Sequence, residues 1–294
     1  MQQPNPLSKQ SANNLSTEEC SGVGLGLRPL HLAEVLKHNP VVPWFEVHIC
    51  NYLNKGLNHK QLYRIRQDYP VSFHGVNLNL GGSDPLDYDY INKLKSAVAL
   101  YQPALISEHA CFTTHQNHHF HDLMPIPYTS EAVENMASRI IIVQDILEQR
   151  ILIENVSRYF NYGESELSEG EFLATVCAEA KCDLLVDLNN AYVNQHNLGE
   201  DLDDFIAQLP NERIKEIHLA GYSAQEDFLI DTHSASVSDE VWQCYRKFCA
   251  YNNTVPCLIE WDSNLPSFEV LMEQRLIAER IINCSTKQSV ASSH

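Results

Sequence analysis

The stretch LLVDLNN, residues 184–190, joins a short apolar run to a carboxylate and then to polar residues. Short runs of Leu, Val and Ile are typical of strands that are buried on both faces, as the strands of parallel sheets are. Asp187 stands near the end of this run, followed at once by Leu188. A buried strand that ends in a side chain able to bind metal is therefore the unit from which the fold is predicted.

Seven other segments repeat this unit, and longer helix-like stretches lie between them. Eight strand–helix units in 294 residues predict a single (β/α)8 TIM barrel. A doubly wound sheet is the alternative, but the glycine-rich run at 22–26, its nearest match to a phosphate-binding motif, lies inside the first strand. The predicted strands are 23–27, 44–48, 71–76, 104–109, 151–155, 184–188, 214–219 and 257–261.

One domain is expected over residues 21–283, because no repeat and no Gly/Ser linker interrupts the pattern. Helix starts are predicted at Asp84-Pro85, at Thr129 and at Ser168, where Glu171 completes a capping box. The segments 1–20 and 284–294 are polar and are expected to be disordered ends.

Composition excludes several classes of function. The formal net charge of −18 disfavours a nucleic-acid partner, because an acidic surface repels phosphate. No apolar run approaches the roughly 20 residues that span a bilayer, and the N-terminal segment lacks the apolar core of a signal peptide. The nine scattered cysteines form no CxxC pair and are expected to be free thiols. A cytoplasmic enzyme without membrane contact is the expectation.

The ends of the predicted strands carry ligand-capable side chains. In a barrel the carboxyl ends of the strands form the active-site face, and residues two apart point the same way. On this basis Glu108 and His109 cannot both point inward, and His109 is preferred. The polar strand ends are Glu46, His48, His74, Glu108, His109, Glu154, Asn155, Asp187, Glu216, His218 and Glu260.

Taken singly, a strand-end His or Glu is more often a hydrogen-bonded terminus than a ligand. Several carboxylates and imidazoles on one ring are costly if unpaired, because each is desolvated and like charges repel. A cluster of multivalent cations removes that cost. Mixed His and carboxylate donors suit Fe, Zn or Mn better than Ca or Mg. By contrast, His115, His118, His119 and His121 are expected to form a solvated loop.

Eight motifs carry a family resemblance. They run in order along the chain between Gly22 and about Ile282, and they resemble the multinuclear non-haem iron-dependent oxidative enzymes, which include the methanobactin-synthesis oxidase. The motifs are FEVHICNY (45–52), SFHGVNLNLGGSDPL (72–86), LISEHACF (105–112), LIENVSRY (152–159), LLVDLNNAYVNQHNLG (184–199), EIHLAGY (216–222), IDTHS (230–234) and LIEWDSNLP (258–266).

The resemblance implies a xylose-isomerase-like TIM barrel that uses two or three iron ions of mixed valence. It implies oxygen-dependent oxidation of a peptide side chain, usually Cys, in a ribosomal peptide that a separate partner protein presents. Many relatives have an acid where this chain has Cys50, so the contribution of the second strand differs here.

The resemblance also implies a ligand set. His74, His109 and Glu154 would hold one metal, and Glu154 would bridge to a second. Asp187, His218 and Glu260 would hold the second metal. Asp231 and His233, with Asn190 or the nearby His196, would hold a third. His48, Glu108, Asn155 and Glu216 are assigned to substrate contact or to orienting the ligands.

Two other classes of function stay open at this point. A zinc or manganese cluster on the same barrel would suit an isomerase or hydrolase, because fold and ligands do not determine the reaction. A non-catalytic metal-bound scaffold that recruits a partner is the third class.

Overall fold

Eight parallel strands close into a barrel whose strand order is that of a TIM barrel. The computed structural model describes residues 19–116 and 118–291. The strands in chain order are β1 (Val23–Gly26), β2 (Phe45–His48), β3 (Val71–His74), β4 (Leu105–His109), β5 (Phe112–His115), β6 (His118–Met124), β7 (Leu152–Glu154), β8 (Asp183–Asp187), β9 (Ile214–Leu219), β10 (Ser223–Gln225), β11 (Phe228–Ile230) and β12 (Cys257–Ile259). The barrel order is β1-β12-β9-β8-β7-β4-β3-β2, so the predicted fold is confirmed.

The helices cover the outside of the barrel. They are α1 (Leu32–His38), α2 (Leu57–Ile65), α3 (Tyr88–Tyr101), α4 (Ser130–Leu147), α5 (Glu169–Ala180), α6 (Leu188–Leu198), α7 (Leu202–Gln208), α8 (Asp239–Tyr251) and α9 (Phe268–Ala291). All residues of β1, β3, β7, β8 and β12 are buried, as expected of strands with side chains in the barrel on one face and helices on the other. In the part of the chain that is described, no helix is both long and apolar enough to cross a membrane.

The two ends of the chain were predicted to be disordered. Nearly all of the N-terminal segment lies outside the described residues, and Cys20 packs with Trp44 and Leu258. At the other end α9 continues beyond Cys284 as far as Ala291.

Helix starts follow the capping chemistry. Thr129 and Ser168 cap α4 and α5 as predicted, and Ser168 and Glu171 form the capping box. The predicted start at Asp84-Pro85 is wrong, because α3 begins at Tyr88 and the Asp87 side chain accepts from the backbone of Tyr90. Asp84 instead accepts from the backbone N–H of Gln116, which ties the residues before α3 to the turn that follows β5.

Two small antiparallel hairpins stand at the mouth of the barrel and were not predicted. β5 and β6 follow β4, and β10 and β11 follow β9. His115, His118, His119 and His121 lie on the first hairpin and are exposed, so they are solvated as expected but belong to strands instead of a loop. Alternation of apolar and polar residues would have indicated strands, and the residues of this hairpin lack it.

A buried ionic network holds the chain that follows β7. Arg158 pairs with Glu200 and lies 3.3 Å from an oxygen of Glu169. Glu169 also accepts hydrogen bonds from the Tyr128 hydroxyl at 3.0 Å and from the Asn194 amide at 3.1 Å. Burial raises the pKa of the Glu169 carboxyl although Arg158 opposes that shift. The network therefore depends on the arginine charge.

Arg158→Met is expected to destabilise the fold by about 3–5 kcal/mol, because it leaves the Glu169 carboxylate buried without its cation. Chemical denaturation of the metal-free protein measures this without interference from metal binding. Lys95→Met is the control, because Lys95 pairs with Glu148 on the surface at 2.9 Å. Its loss should leave the midpoint of chemical denaturation nearly unchanged. Equal midpoints for the two variants would show that the buried network contributes little.

Candidate metal centre

The carboxyl ends of the barrel strands bring imidazoles and carboxylates together beneath one large cavity. The cavity has a volume of about 960 Å³ and opens at the mouth of the barrel. His74, His109, His233 and Glu260 lie at the cavity wall where it meets the barrel interior. The residues of this cluster that are at most 8% exposed are Glu46, His74, His109, Glu154, Asp187, Glu216, His218, His233 and Glu260.

The first group of possible ligands consists of His74, His109 and Glu154. The Nε2 atoms of the two histidines lie 3.4 and 3.2 Å from Glu154 Oε2, and 3.3 Å from each other. The Nδ1 atom of His109 is 3.0 Å from the carbonyl of Gly75, so Nδ1–H donates there and Nε2 is the nitrogen left to bind a metal. His74 Nδ1 is 2.7 Å from Ser107 Oγ, which itself donates to a backbone carbonyl. Both rings therefore present Nε2 to the same point.

The second group consists of Glu154, Asp187, His218 and Glu260. Their ligand atoms all lie within 4.8 Å of one another. His218 Nδ1 is 2.9 Å from Glu260 Oε2 and 3.8 Å from Glu154 Oε1. Glu154 therefore directs one oxygen at the first group and the other oxygen at the second.

A third group forms around His233. Its Nε2 atom is 2.7 Å from Asp231 Oδ1, and its Nδ1 atom is 3.3 Å from both Glu260 Oε2 and Asp262 Oδ2. His233 has a φ of 43°, a left-handed backbone conformation that is uncommon for a residue other than glycine. This conformation turns the ring between the loop carboxylates and Glu260.

Asn190 and His196 were the two candidates to complete the third group. The Asn190 side chain lines the cavity and donates to the carbonyl of Asn155 at 3.1 Å, and its Oδ1 atom has no hydrogen-bond partner among the described residues. His196 is exposed, and its Nε2 atom lies 3.1 Å from the carbonyl of Asp227. The structure thus brings Asn190 to the cluster, while His196 is not among the residues lining the cavity.

The residues assigned to supporting roles are buried or lie at the cavity. Glu108 accepts from the backbone of Asn77, Leu78 and His109, and so holds the chain that follows β3. Asn155 exchanges two hydrogen bonds with the backbone of Asp187, at 2.9 and 3.0 Å. Glu216 lies beneath the cluster, with Oε1 3.7 Å from His218 Nε2.

Three residues at the cluster were given no role by the sequence argument, although Glu46 was named there as a polar strand end. Glu46 is fully buried, with Oε2 3.3 Å from His218 Nε2. Its signal was present, since Glu46 and His48 are two apart on one strand. Arg28 donates to Glu260 at 3.2 Å, contacts His48 Nε2 at 3.1 Å and pairs with Asp262. Arg28 and Asp262 each lie just beyond a strand end, where no alternation indicates the direction of a side chain.

Without a bound cation, several groups of this cluster have pKa values far from their usual ones. Burial raises the pKa of Glu154 to about 8, although His109 and His218 lower it. Burial also raises the pKa of Asp187 to about 7 and that of Glu46 to about 7. For His109, burial opposes the charge, but Glu154 and Glu108 outweigh it and its pKa rises to about 9. These groups therefore keep protons in the metal-free protein, and a bound metal ion would displace those protons.

Several ligand atoms have no hydrogen-bond partner among the described residues, although they are buried. These atoms are Glu46 Oε1, Glu154 Oε2, Asp187 Oδ2, Glu216 Oε1 and Oε2, and His218 Nε2. Glu154 Oε2 lies 3.2 Å from His109 Nε2 and His218 Nε2 lies 3.3 Å from Glu46 Oε2, but neither contact has hydrogen-bond geometry. Buried polar atoms without a partner are rare, and each one calls for an explanation. Neighbouring His and carboxylate groups with free ligand atoms form clusters that could bind metal ions.

Comparison with known proteins connects this chain to a family. Residues 22–283 match the family model described as RiPP precursor modification enzyme MbnB/TglH/ChrH, where RiPP denotes a ribosomally made, post-translationally modified peptide. A UPF0276 protein of Acaryochloris marina is 46% identical over 253 residues, which cover 86% of this chain and 92% of the relative. A UPF0276 protein of Chromobacterium violaceum is 40% identical over 266 residues, which cover 90% of this chain and 96% of the relative.

Solved structures share the barrel at much lower identity. An L-ribulose 3-epimerase superposes with a TM-score of 0.61 at 11% identity, covering 94% of this chain and 98% of that one. Endonuclease IV from Thermus thermophilus superposes with a TM-score of 0.55 at 14% identity, covering 91% of this chain and 99% of that one. At this identity the likeness establishes the fold alone.

Proposed function

The chain belongs to the MbnB/TglH/ChrH family of RiPP precursor modification enzymes, and we propose that it is a multinuclear non-haem iron oxidase acting on a cysteine of a ribosomal peptide. Family membership supports an enzyme and a peptide substrate. The metal, the use of oxygen and the cysteine are the parts that the proposal adds.

The position of Glu154 is the observation that carries the proposal. Its two oxygens face two separate groups of ligands, and Oε2 has no hydrogen-bond partner among the described residues. A bridging carboxylate holds two cations a short distance apart, which is the geometry of a multinuclear centre. In the metal-free protein, burial raises the pKa of this carboxyl to about 8, and the neighbouring Asp187 and Glu260 add to that shift.

We assign the ligands by these groups. His74, His109 and Glu154 would hold a first ion, and Glu154, Asp187, His218 and Glu260 would hold a second. Asp231, His233 and Asn190 would hold a third, with Asp262 as a further carboxylate. This mixture of imidazole nitrogen and carboxylate oxygen suits iron, with zinc or manganese as the alternative. Bound iron would supply the redox chemistry that removes electrons from the substrate and delivers them to dioxygen.

The protein itself orients the ligands. The hydrogen bonds of His74 and His109 through Nδ1 fix each ring with Nε2 towards Glu154, where the first ion would bind. Asn155 holds the backbone of Asp187, which would bind the second ion, and Glu108 fixes the chain around His109. Glu216 and Glu46 lie behind His218, where their carboxyl groups face Nε2 of its ring at 3.7 and 3.3 Å. His48 lines the cavity and is placed to contact the substrate.

The reacting thiol is assigned to the substrate. All nine cysteines are described, and none of them is among the residues that line the cavity. Cys111, although close to β4, is buried, and burial raises its pKa well above the usual range. A thiolate nucleophile or ligand from this chain is therefore not available at the cavity.

We also propose that a separate protein presents the peptide. The partner would fix the part of the peptide outside the cavity, so that only a short reactive segment has to enter. A pull-down with the purified enzyme from cells that express the neighbouring genes tests this. Full activity on small free thiols, without any affinity for peptide, would contradict it.

Mass spectrometry of a cysteine-containing peptide tests the reaction. The substrate is a synthetic peptide copied from a short Cys-containing reading frame beside the gene. Iron-loaded enzyme in air should cause a loss of hydrogens or a rearrangement at Cys, and the Cys→Ser peptide is the matched control that should stay unchanged. Clean hydrolysis, or the same turnover under argon, would instead support the hydrolase or isomerase.

A further inference from the structure

The hairpin formed by β5 and β6 has a strand that is only partly paired. β6 runs for seven residues and β5 for four. The paired residues are Phe112 with Met124, Thr114 with His119 and His115 with His118, and the register shifts between Phe112 and Thr114. The four residues 120–123 consequently have no matched residue on β5. They form an irregular, extended stretch of chain on one side of the hairpin.

This stretch lies along the wall of the cavity. His119, Phe120, His121, Asp122 and Leu123 all line the cavity, although they are consecutive. Alternate side chains of a strand point to opposite faces, so a strand that presented one face would contribute every second residue only. Contact by five successive residues is what a strand whose backbone edge borders the cavity would give.

The other edge of the hairpin is already occupied. The side-chain oxygen of Asn79 accepts from the backbone of Thr113 at 2.8 Å and of Thr114 at 3.2 Å, and its amide donates to the carbonyl of Thr114 at 3.2 Å. Asn79 in turn is held through its carbonyl by Arg139 at 3.0 Å. β5 is thus fixed to the chain after β3, and Phe112 contacts Phe120 across the hairpin at 5.6 Å between ring centroids.

The free edge of β6 has few hydrogen bonds of its own. Outside the ladder to β5, the backbone of residues 120–123 makes one hydrogen bond among the described residues, from Leu123 N–H to Asp122 Oδ1 at 2.8 Å. Unpaired N–H and C=O groups on a strand edge are a template for another strand. Peptide-binding domains use this template to hold an extended peptide through its main chain.

We propose that the edge of β6 between His119 and Leu123 binds the substrate peptide as an added β-strand. The cavity that this edge borders also reaches His74, His109 and Glu260, so a strand laid along it leads the peptide to the proposed metals. Recognition through the main chain tolerates many side chains and specifies an extended segment around the reacting residue. This inference rests on the proposed function in taking the substrate to be a peptide.

Hydrogen exchange of the full-length, metal-loaded enzyme tests the inference, with the synthetic Cys peptide in saturating excess and air excluded. Backbone amides within 119–123 should exchange about tenfold or more slowly when the peptide is bound, as expected for new hydrogen bonds that close an exposed edge. The β10–β11 hairpin is the internal control. Its residues 223–225 and 228–230 do not line the cavity, and their exchange should not change.

A scan of N-methylated peptides gives an independent readout. Methylation of every second amide near the Cys should weaken binding about tenfold, and methylation of the amides between them should change it about twofold at most, because a strand bonds to its neighbour through alternate residues. Unchanged exchange in β6, or an N-methyl scan without the alternation, would overturn the inference. Slower exchange in β6 on binding a peptide that the iron-loaded enzyme does not oxidise in air would uphold this inference and overturn the proposed function.

Discussion

Glu154→Gln is expected to strip metal from two adjacent sites, because the amide that replaces the carboxylate bridges poorly and removes a negative charge shared by two cations. Glu154 Oε2 lies 3.2 Å from His109 Nε2, and Oε1 lies 3.8 Å from His218 Nδ1, so both groups lose a ligand in one substitution. Bound iron should fall by at least about two ions per chain, measured by elemental analysis after dialysis.

Asn155→Ala is the matched control for this experiment. Asn155 is the next residue in sequence and is equally buried, but it contacts the backbone of Asp187 instead of facing the ligand groups. Its loss should weaken metal binding by about 10–100-fold, as is typical when a group that orients a ligand is removed. At saturating iron, this variant should still bind as many iron ions as the unmodified enzyme. Equal metal content in the two variants would remove Glu154 from the set of ligands.

His218→Ala is expected to abolish oxygen consumption and leave peptide binding near that of the unmodified enzyme. His218 is fully buried beneath the cavity, and it is the imidazole of the second group. The peptide contacts proposed above lie at the cavity wall, away from this residue. An oxygen electrode and fluorescence anisotropy of a labelled peptide measure the two properties on the same preparation.

His196→Ala is the control for removal of an imidazole. His196 is exposed and contacts the carbonyl of Asp227, outside the cavity lining. It should consume oxygen at the rate of the unmodified enzyme. If His218→Ala kept a substantial rate of oxygen consumption, or lost peptide binding as completely as activity, the division between the metal centre and the peptide surface would be wrong.

The barrel was predictable because its strands carry a local signal. Each is a short apolar run, and a polar residue such as His74, Glu154 or Asp187 marks the point where the strand reaches the mouth. Alternation then indicates which side chain points inward. It is the reason that His109 was preferred over Glu108, and the structure places His109 at the ligand group while Glu108 binds backbone N–H groups.

Other parts of the site depend on distant contacts that leave no local pattern. Asp262 and Arg28 pair across 234 positions of sequence, and both lie beyond the ends of their strands. Glu46 was visible on the correct face of β2, but its distance from His218 follows only from closure of the barrel. The β5–β6 hairpin carries exposed histidines without apolar alternation, so the sequence pattern indicated a loop there.

The central claim is that this buried ring of imidazoles and carboxylates is a multinuclear iron centre. The most direct measurement is the metal content of protein purified without oxygen from cells grown with added iron. About two to three iron ions per folded chain, together with a ferric absorption band on exposure to air, is the expected result. A folded protein that is metal-free, or one that holds zinc alone and gains no activity on iron loading, would contradict the claim.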